Sequence, residues 1–267
     1  MTESITTHKS TEKLPLSLVV ITFNEEKNIE RCLKSVPFAS EWIVLDSFST
    51  DRTKDLSLAL GARFFQEPWK GYGAQKQSAT LKASYDWVLS LDADEELSPE
   101  LAQELLKNFD QLQADVGYRM PRRSFYLGRW IDHGGWFPDY QLRLFHRKHA
   151  SWTLSSIHEQ VKSHRTQKLV SPILHYVFRN LEHQVQTNNN YSSLQAQDLF
   201  TQRKNFSLFK LITKPGVKFL ELYFFKSGFL DGLPGFIIAV GGAYSVFLKH
   251  AKLWEIENDK KNHTNIF

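Results

Sequence analysis

Two carboxylates, Asp92 and Asp94, follow an apolar run at residues 87–91 and are separated by a single alanine. At that spacing on a loop, both side chains can turn toward the same volume. One carboxylate can then bind a hard divalent cation while the other accepts a hydrogen bond from a ribose hydroxyl. A cation there would neutralise a diphosphate. The pair therefore predicts a combined nucleotide and metal site.

The residues around this pair favour a binding site over a solvated turn. The preceding run is apolar enough for a central strand. Ser98 and Pro99 have the residue types of a helix N-cap and first helical position. We therefore expect the acidic pair on a strand-to-helix connection. In open α/β sheets, ligands bind outside the carboxyl ends of the strands, where such connections lie.

Polar side chains also follow the first two predicted strands. Thr22, Asn24 and Glu25 end the first apolar run, and Asp46 ends the second. Because strand ends of a parallel sheet share one edge, these groups could contact the ribose or base of the same nucleotide. Asn24 could equally cap a helix, as Thr50 is predicted to do. Both interpretations of Asn24 stay open at this point.

A glycine-flanked helix start supplies a further candidate contact. Gly71 and Gly73 flank Tyr72, and Lys76 follows one turn later. Backbone N–H groups at such a start, together with a lysine, can approach a phosphate. The Gly-x-Gly-x-x-Gly and Gly-Lys-Ser/Thr spacings of dinucleotide and NTP sites do not occur in the sequence. This argues against a dehydrogenase or an NTPase.

The apolar runs alternate with helical patterns, which predicts an α/β fold with a mostly parallel sheet. A helix with Thr50 as its cap is expected to stop at Gly61. The predicted early strands lie at residues 16–22, 42–45, 63–65 and 87–91.

Composition limits the class of protein. With 267 residues, 42% of them hydrophobic, the chain can bury one large core with an appendage. Its single cysteine, Cys32, excludes an intramolecular disulfide framework, and we expect it to pack in the core. Residues 1–14 are polar, without a secretory signal, so we expect a disordered tail and a cytoplasmic location.

Charge and hydropathy distinguish the later segments. Basic residues outnumber acidic ones between Pro121 and Arg179, which favours an anionic partner. From Phe206 onward, apolar clusters alternate with lysines, as in basic amphipathic surfaces. Residues 232–248 carry no formal charge, yet they contain Pro234 and fall short of the roughly 20 residues of a spanning helix. We expect an interfacial or re-entrant hairpin there, with a buried helix pair or a true span as alternatives.

Seven ordered motifs carry a family resemblance that covers residues 15–255. The first four resemble the inverting GT-A-fold glycosyltransferases of the large family that includes cellulose and chitin synthases. The later three are similar to the subgroup that adds a sugar to the bacterial lipopolysaccharide inner core. The motifs are Val20–Glu25, Leu45–Thr53, Gly73–Lys76, Leu91–Glu95, Trp136–Phe145, Ile157–Glu159 and Gly228–Gly232.

This resemblance implies roles for the strand-end residues. Asp92 is expected to bind the ribose, and Asp94 the Mg²⁺ or Mn²⁺ that bridges the diphosphate. The family often has two adjacent acids where this chain has Asp46 and Ser47. The residues that would hold the nucleotide are Thr22, Glu25, Asp46 and Lys76.

Inversion at the anomeric carbon requires a base that takes the proton of the acceptor hydroxyl. The family position favours Glu159. Asp139 is the second candidate, because it lies between aromatic residues. The alternative for Glu159 is a surface ion pair with Lys162. His158 would orient the base, approach the metal or only satisfy a local hydrogen bond.

The implied reaction is transfer of a hexose, with UDP-glucose as the expected donor and a heptose- or Kdo-containing lipid-linked core as the acceptor. A polyprenyl phosphate or capsule precursor is the alternative acceptor. A sugar nucleotidyltransferase or a non-catalytic nucleotide-binding membrane module is a more distant alternative. We expect no nucleic-acid partner and a peripheral location on the cytoplasmic face of the inner membrane.

The expected domain organisation follows from the same resemblance. After the tail, a GT-A catalytic domain is predicted at residues 15–200. Its nucleotide-sugar half covers residues 15–115 and its acceptor half residues 116–200. An α-helical, amphipathic extension that associates with a membrane is predicted at residues 201–267.

Overall fold

Strands and helices alternate along the first part of the chain, as the apolar runs predict. The computed structural model describes residues 13–153 and 159–264, with side chains described up to residue 260. The strands are β1 (Leu14–Thr22), β2 (Ala39–Asp46), β3 (Arg63–Gln66), β4 (Trp87–Asp92), β5 (Glu95–Leu97), β6 (Val116–Tyr126), β7 (Arg129–Ile131), β8 (Asp139–His146), β9 (Ala150–Trp152), β10 (Val161–Ser163), β11 (Arg165–Lys168) and β12 (Ile173–His175). The helices are α1 (Ile29–Lys34), α2 (Thr53–Ala59), α3 (Tyr72–Leu81), α4 (Pro99–Asn108), α5 (Leu181–Thr201), α6 (Leu208–Leu220) and α7 (Gly232–Thr264). Short 3₁₀ or π turns cover Phe109–Gln111, Glu221–Phe225 and Gly228–Asp231.

The chain divides into two compact units. The first contains the described residues up to Arg122 and those from Tyr140 to His175. The second contains the segment from Arg123 to Asp139 and the described residues from Tyr176 onward. Most strands of the sheet and α1 to α4 build the first unit. The second contains β7, the end of β6 and the three long helices α5 to α7.

A ten-stranded mixed sheet organises the strand ends. Its main path runs β3, β2, β1, β4, β8, β6, β12, β5, while β7 and β11 both pair with β6. The pairs among β3, β2, β1 and β4 are parallel, and β8 joins β4 in antiparallel orientation. Since β1 has β2 on one side and β4 on the other, the crevice between diverging connections lies at their carboxyl ends. The predicted α/β fold with helices flanking the sheet is confirmed.

The side chains of β1 alternate between two buried layers. Leu18 and Val20 pack in one apolar cluster with α1 and α4, whereas Val19 packs in another with Ala79 of α3. All three strand residues are fully buried. A strand covered on both faces reads as a continuous apolar run, which explains the lack of polar alternation. Cys32 lies in the first cluster, so its predicted packing role is confirmed, and burial raises the pKa of its thiol.

The helix starts are only partly as predicted. The Ser98 hydroxyl accepts the amide hydrogen bond of Leu101 at 3.1 Å, so Ser98 caps α4 as expected. Thr50 does not cap α2, which begins at Thr53 without a side-chain cap. The Thr50 amide instead donates to the Asn24 side chain at 2.9 Å, because this loop is bound to the β1–α1 connection. The predicted end of α2 near Gly61 is confirmed.

The hairpin expected within residues 232–248 is not formed, because α7 is one helix of 33 residues. Pro234 lies in its first turn, where the missing N–H has no intrahelical partner to lose. The glycines serve close packing. A Cβ at Gly235 would lie 1.9 Å from the Gly228 carbonyl oxygen, and one at Gly241 would lie 2.9 Å from the Gln184 side-chain nitrogen. The helical segment from Gly228 to Lys260 is long enough, and contains an 18-residue stretch that is apolar enough, to cross a membrane by length and composition.

We predict that Ser98→Ala lowers the free energy of unfolding by about 1 kcal/mol, because the Leu101 amide loses its cap. Thr50→Ala is the matched control, since Thr50 is exposed and caps no helix. Urea denaturation followed by tryptophan fluorescence measures both variants. Equal destabilisation by the two substitutions would contradict the assignment of the cap.

Candidate functional site

A buried carboxylate, Asp46, connects the ends of β1, β2 and β3. It accepts hydrogen bonds from the Thr22 hydroxyl at 3.0 Å, the Ser49 amide at 2.8 Å and the Gln66 side-chain amide at 3.1 Å. The Ser49 hydroxyl donates a further short bond. These four bonds use the acceptor capacity of a carboxylate. A nucleotide that contacts Asp46 must therefore replace one of them.

The loops after β1 and β2 are bound together by the other polar residues of the first strand end. The backbone N–H of Asn24 donates to the Ser49 hydroxyl at 2.7 Å, and the backbone N–H of Glu25 donates to the Thr53 hydroxyl at 2.8 Å. Asn24 has a positive φ of 57°, a conformation that asparagine tolerates better than most residues. The Glu25 carboxylate accepts from the Asn28 side chain at 2.7 Å. Thr22, Asn24, Glu25 and Asp46 thus line neighbouring loops, as predicted from strand order.

The Lys76 side chain of α3 lies in the interior of the first unit, and the residue is only 3% exposed. Its ammonium lies 2.9 Å from an Asp92 oxygen and 3.2 Å from a Glu159 oxygen. The Trp152 ring centroid is 4.9 Å from the same nitrogen, close enough for a cation–π contact. One buried cation thereby brings together the predicted ribose ligand and the predicted base.

Gly73 permits this approach of α3. A Cβ at Gly73 would lie 2.0 Å from the Thr153 carbonyl oxygen and 3.2 Å from Cβ of Glu159. The predicted start of α3 at the glycine pair is confirmed, with Gly71 at a φ of 88°. The chain that carries Glu159 therefore packs directly on the first turn of α3.

Arg143 of β8 holds the other side of Asp92. It is 3% exposed, and its guanidinium forms a short ion pair with Asp92 and a second, at 2.7 Å, with Glu95. Arg122 also contacts Glu95, at 3.2 Å. The sequence placed Arg143 only in a basic segment, because the pairing of β8 with β4 that brings it to Asp92 is a long-range contact.

The charges around Asp92 decide its protonation state. Burial alone would raise the pKa of the Asp92 carboxyl, but Arg143 and Lys76 outweigh it and hold the pKa well below its usual range. Burial likewise opposes the charge of Arg143, whereas Asp92 and Glu95 raise the pKa of the guanidinium. Asp92 is therefore an anion, and its side chain is 27% exposed, so it can still accept a hydrogen bond from a ligand.

Asp94 lies in the turn between β4 and β5, so a short strand separates the acidic pair from α4. Its carboxylate is 3.4 Å from Nε2 of His175, and its side chain is 30% exposed. The Asp94 carboxylate oxygen fits Mn²⁺ or Mg²⁺, whose remaining ligands would be mainly water and phosphate oxygens, whereas an imidazole nitrogen is a weaker ligand for the hard Mg²⁺ ion. Within the described ranges, no group of three or more protein ligands suited to a metal occurs. His175 was missed in the sequence because only the pairing of β12 with β5 brings it to Asp94.

The two candidate bases have different positions. Glu159 pairs with Lys76, so the surface ion pair with Lys162 that the sequence offered as an alternative is replaced by a largely buried contact. Asp139 is the first residue of β8 and belongs to the second unit. His158 lies outside the described residues.

We predict that Arg143→Met lowers the free energy of unfolding by about 3–5 kcal/mol, because Asp92 and the buried Glu95 lose the cation they share and keep Lys76 and Arg122 as partners. Arg165→Met is the matched control, since Arg165 pairs with Asp115 at the surface and such pairs contribute little. Thermal and urea unfolding would measure both. Comparable losses would show that Arg143 contributes no more than a surface arginine.

Comparisons with known proteins give the family of the chain. Residues 17–168 match the profile of Glycosyl transferase family 2. The chain is 34% identical to the lipopolysaccharide core biosynthesis glycosyltransferase LpsC of Rhizobium meliloti, over 91% of this chain and 93% of that protein. It is 35% identical to an uncharacterized glycosyltransferase of Rickettsia typhi, over 92% of this chain and 89% of that protein.

Two solved structures align more loosely. TarS 1-349 of S. aureus, in complex with UDP, covers 92% of both chains with a TM-score of 0.46 and 14% identity. Glucosyl-3-phosphoglycerate synthase of Mycobacterium tuberculosis, in complex with Mn²⁺ and UDP, covers 42% of this chain and 44% of its own, with a TM-score of 0.33 and 28% identity. Since the family profile spans more than half of the 267 residues, the chain belongs to glycosyl transferase family 2 and is a GT-A-type glycosyltransferase.

Proposed function

We propose that this glycosyltransferase is an inverting, metal-dependent enzyme that transfers glucose from UDP-glucose to the heptose- or Kdo-containing inner core of lipopolysaccharide. The observation that carries the proposed chemistry is the single Lys76 ammonium between Asp92 and Glu159. It joins a donor-side carboxylate to an acid that can act as a base. The similarity to LpsC, which is named for lipopolysaccharide core biosynthesis, supports the choice of acceptor.

The donor nucleotide is proposed to bind across the ends of β1, β2 and β4. Thr22, Asn24, Glu25 and Asp46 would contact the nucleoside, because their loops already form one hydrogen-bonded surface. Asp92 would accept a hydrogen bond from a ribose hydroxyl. Its low pKa keeps it ionised, which suits a hydrogen-bond acceptor.

The diphosphate is proposed to lie near Lys76 and the acidic turn. Asp94 and His175 would hold Mg²⁺ or Mn²⁺, since an Asp94 oxygen lies 3.4 Å from Nε2 of His175 and the Asp94 side chain is 30% exposed. When bound, such an ion neutralises charge that develops on the leaving diphosphate. The Lys76 ammonium supplies a second positive charge from the protein itself.

Glu159 is proposed as the base. Its carboxylate would take the proton of an acceptor hydroxyl while that oxygen bonds to the anomeric carbon. The bond from the anomeric carbon to the diphosphate oxygen then breaks, and the nucleoside diphosphate leaves with the electron pair. Attack opposite the leaving group inverts the configuration. Asp139 remains the second candidate for this role.

The acceptor is proposed to be lipid-linked and anionic. The excess of basic residues between Pro121 and Arg179 favours phosphate groups on the acceptor. We also propose that residues 201–267 form a helical extension that associates with the cytoplasmic face of the inner membrane, since α6 exposes Phe209 and Ile212. Residues 15–200 would then form the catalytic domain.

We predict that Glu159→Gln lowers kcat by at least about 100-fold, because the proton acceptor is lost. Lys76 loses its ion pair with Glu159 but keeps the one with Asp92, so we expect little change in KM for the donor. The assay measures release of UDP from UDP-glucose with deacylated lipopolysaccharide core, and NMR of the product identifies the anomer. Asp139→Asn is the parallel variant. A large loss in Asp139→Asn alone would move the base to Asp139, and a product of retained configuration would refute inversion.

The acceptor is tested in the same assay by replacing the core with polyprenyl phosphate. Transfer to polyprenyl phosphate but not to the core would reject the lipopolysaccharide acceptor while keeping the chemistry. No release from any sugar nucleotide by folded protein would reject the transferase itself.

We predict that Asp94→Ala and His175→Ala each weaken Mn²⁺ binding by about 10-fold or more, since each removes one of two protein ligands. Electron paramagnetic resonance of Mn²⁺ measures binding independently of turnover. His164→Ala is the control, because His164 is exposed on another part of the first unit. Unchanged Mn²⁺ binding in both site variants would place the metal elsewhere.

A further inference from the structure

A cavity of about 290 Å³ lies among α5, α6 and α7, within the second unit. Its polar lining is almost entirely basic. Lys210 and Lys214 of α6 face Lys249 and His250 of α7 across it, and the segment after α5 adds Lys204 and Asn205. We call this site the lysine cavity.

The lysines of the lysine cavity have no acidic partner among the described residues. In the part of the chain that the structure describes, no carboxylate lies within 4.0 Å of the Lys204, Lys210, Lys214 or Lys249 ammonium groups. Lys218, one turn further along α6, differs because Glu221 pairs with it at 3.0 Å. Four lysines therefore line one space, and the charge of Lys214 opposes that of Lys249.

The pKa values of two residues of α7 are lowered by burial and by this repulsion. Burial and the charges of Lys214 and Lys218 lower the pKa of Lys249. Burial and the charges of Lys249, Lys214 and Lys210 lower the pKa of His250, which is 7% exposed. Like charges held together in this way gain most from a bound anion. A phosphate group is the matching ligand, because it offers several oxygens to several ammonium donors.

Exposed apolar side chains adjoin these lysines on α6. Leu208, Phe209 and Ile212 are 60%, 75% and 68% exposed, and they occupy a different arc of the helix from Lys210 and Lys214. Further along, Phe225 is 83% exposed. An apolar arc beside a lysine arc is the arrangement of helices that lie in a membrane interface.

We propose that the lysine cavity binds the phosphate of an anionic phospholipid while the exposed arc of α6 enters the apolar layer of the same membrane. The inference rests on the proposed function only in choosing a membrane lipid as the carrier of the phosphate. A free phosphate would satisfy the lysines but would leave Phe209 and Ile212 in water. One phospholipid satisfies both features, since its phosphate and acyl chains are covalently joined.

The test uses the full chain and two kinds of vesicle, phosphatidylcholine alone and an equimolar mixture of phosphatidylcholine and phosphatidylglycerol. Co-sedimentation measures the affinity for each. We expect tight binding only to the mixture. Lys214→Gln with Lys249→Gln should weaken that binding by about 30-fold, because each basic side chain near an anionic surface contributes about fivefold. The corresponding pair of arginine substitutions should retain most of the affinity.

Lys34→Gln with Lys107→Gln is the matched control, since it removes the same charge from α1 and α4 of the first unit. Equal loss in both double variants would reduce the effect to net charge and overturn the proposal. Equal binding of the wild type to both vesicles would also overturn it. Calorimetry measures the binding of inorganic phosphate. A variant of Lys214 and Lys249 that loses phosphate binding but binds mixed vesicles as well as the wild type would overturn the proposal too.

This test contains no sugar nucleotide, so its result does not depend on catalysis. Vesicle binding through the lysine cavity by a protein that transfers no sugar would contradict only the proposed function. Conversely, we expect the double glutamine variant to retain turnover on deacylated core, which carries no acyl chains. Transfer by a protein whose vesicle binding ignores the lysine cavity would contradict only this inference.

Discussion

Asp92 lies between two buried cations, and the first unit is arranged around that contact. Lys76 and Arg143 each hold one of its oxygens, and each also contacts a second carboxylate, Glu159 or Glu95. Removing such ions from water costs several kcal/mol each, so every partner must be in place at once. This requirement couples α3, β4, β8 and the segment that carries Glu159, although these elements are far apart in the chain.

Buried hydrogen bonds also hold the candidate site in one geometry before a ligand binds. Asp46 and its donors hold the loops after β1 and β2 in one geometry, which removes much of the entropy loss of binding. Asp94 differs from these groups because it stands in a turn with a third of its side chain exposed. Asp46 is therefore buried where Asp94 is accessible, which suits the proposed binding of a nucleoside and of a metal with the diphosphate.

Basic side chains have different surroundings in the two units. In the first, Lys76 and Arg143 are buried and paired with carboxylates. In the second, no described carboxylate pairs with the lysines of the cavity among α5, α6 and α7, and exposed apolar side chains lie nearby. Paired charges fix a geometry within the protein, whereas unpaired ones favour a partner outside it. Gly241 allows α7 to pack closely on α5 beside this cavity.

Local patterns in the sequence determined the early strands, the helix start at Ser98 and the strand-end carboxylates, because burial on both faces and capping depend on neighbouring residue types. They also predicted that several polar residues lie near one edge of the sheet, namely Thr22, Asn24, Asp46, Lys76 and Asp92. The same patterns failed at Thr50, whose amide is bound to a distant loop, and at residues 232–248, where glycines that indicate a turn instead meet neighbouring helices. Only the tertiary structure joined Arg143 to Asp92, His175 to Asp94 and Lys76 to Glu159. Those contacts arise from strand pairing and helix packing between segments separated by up to about 80 residues, a distance at which no local spacing rule operates.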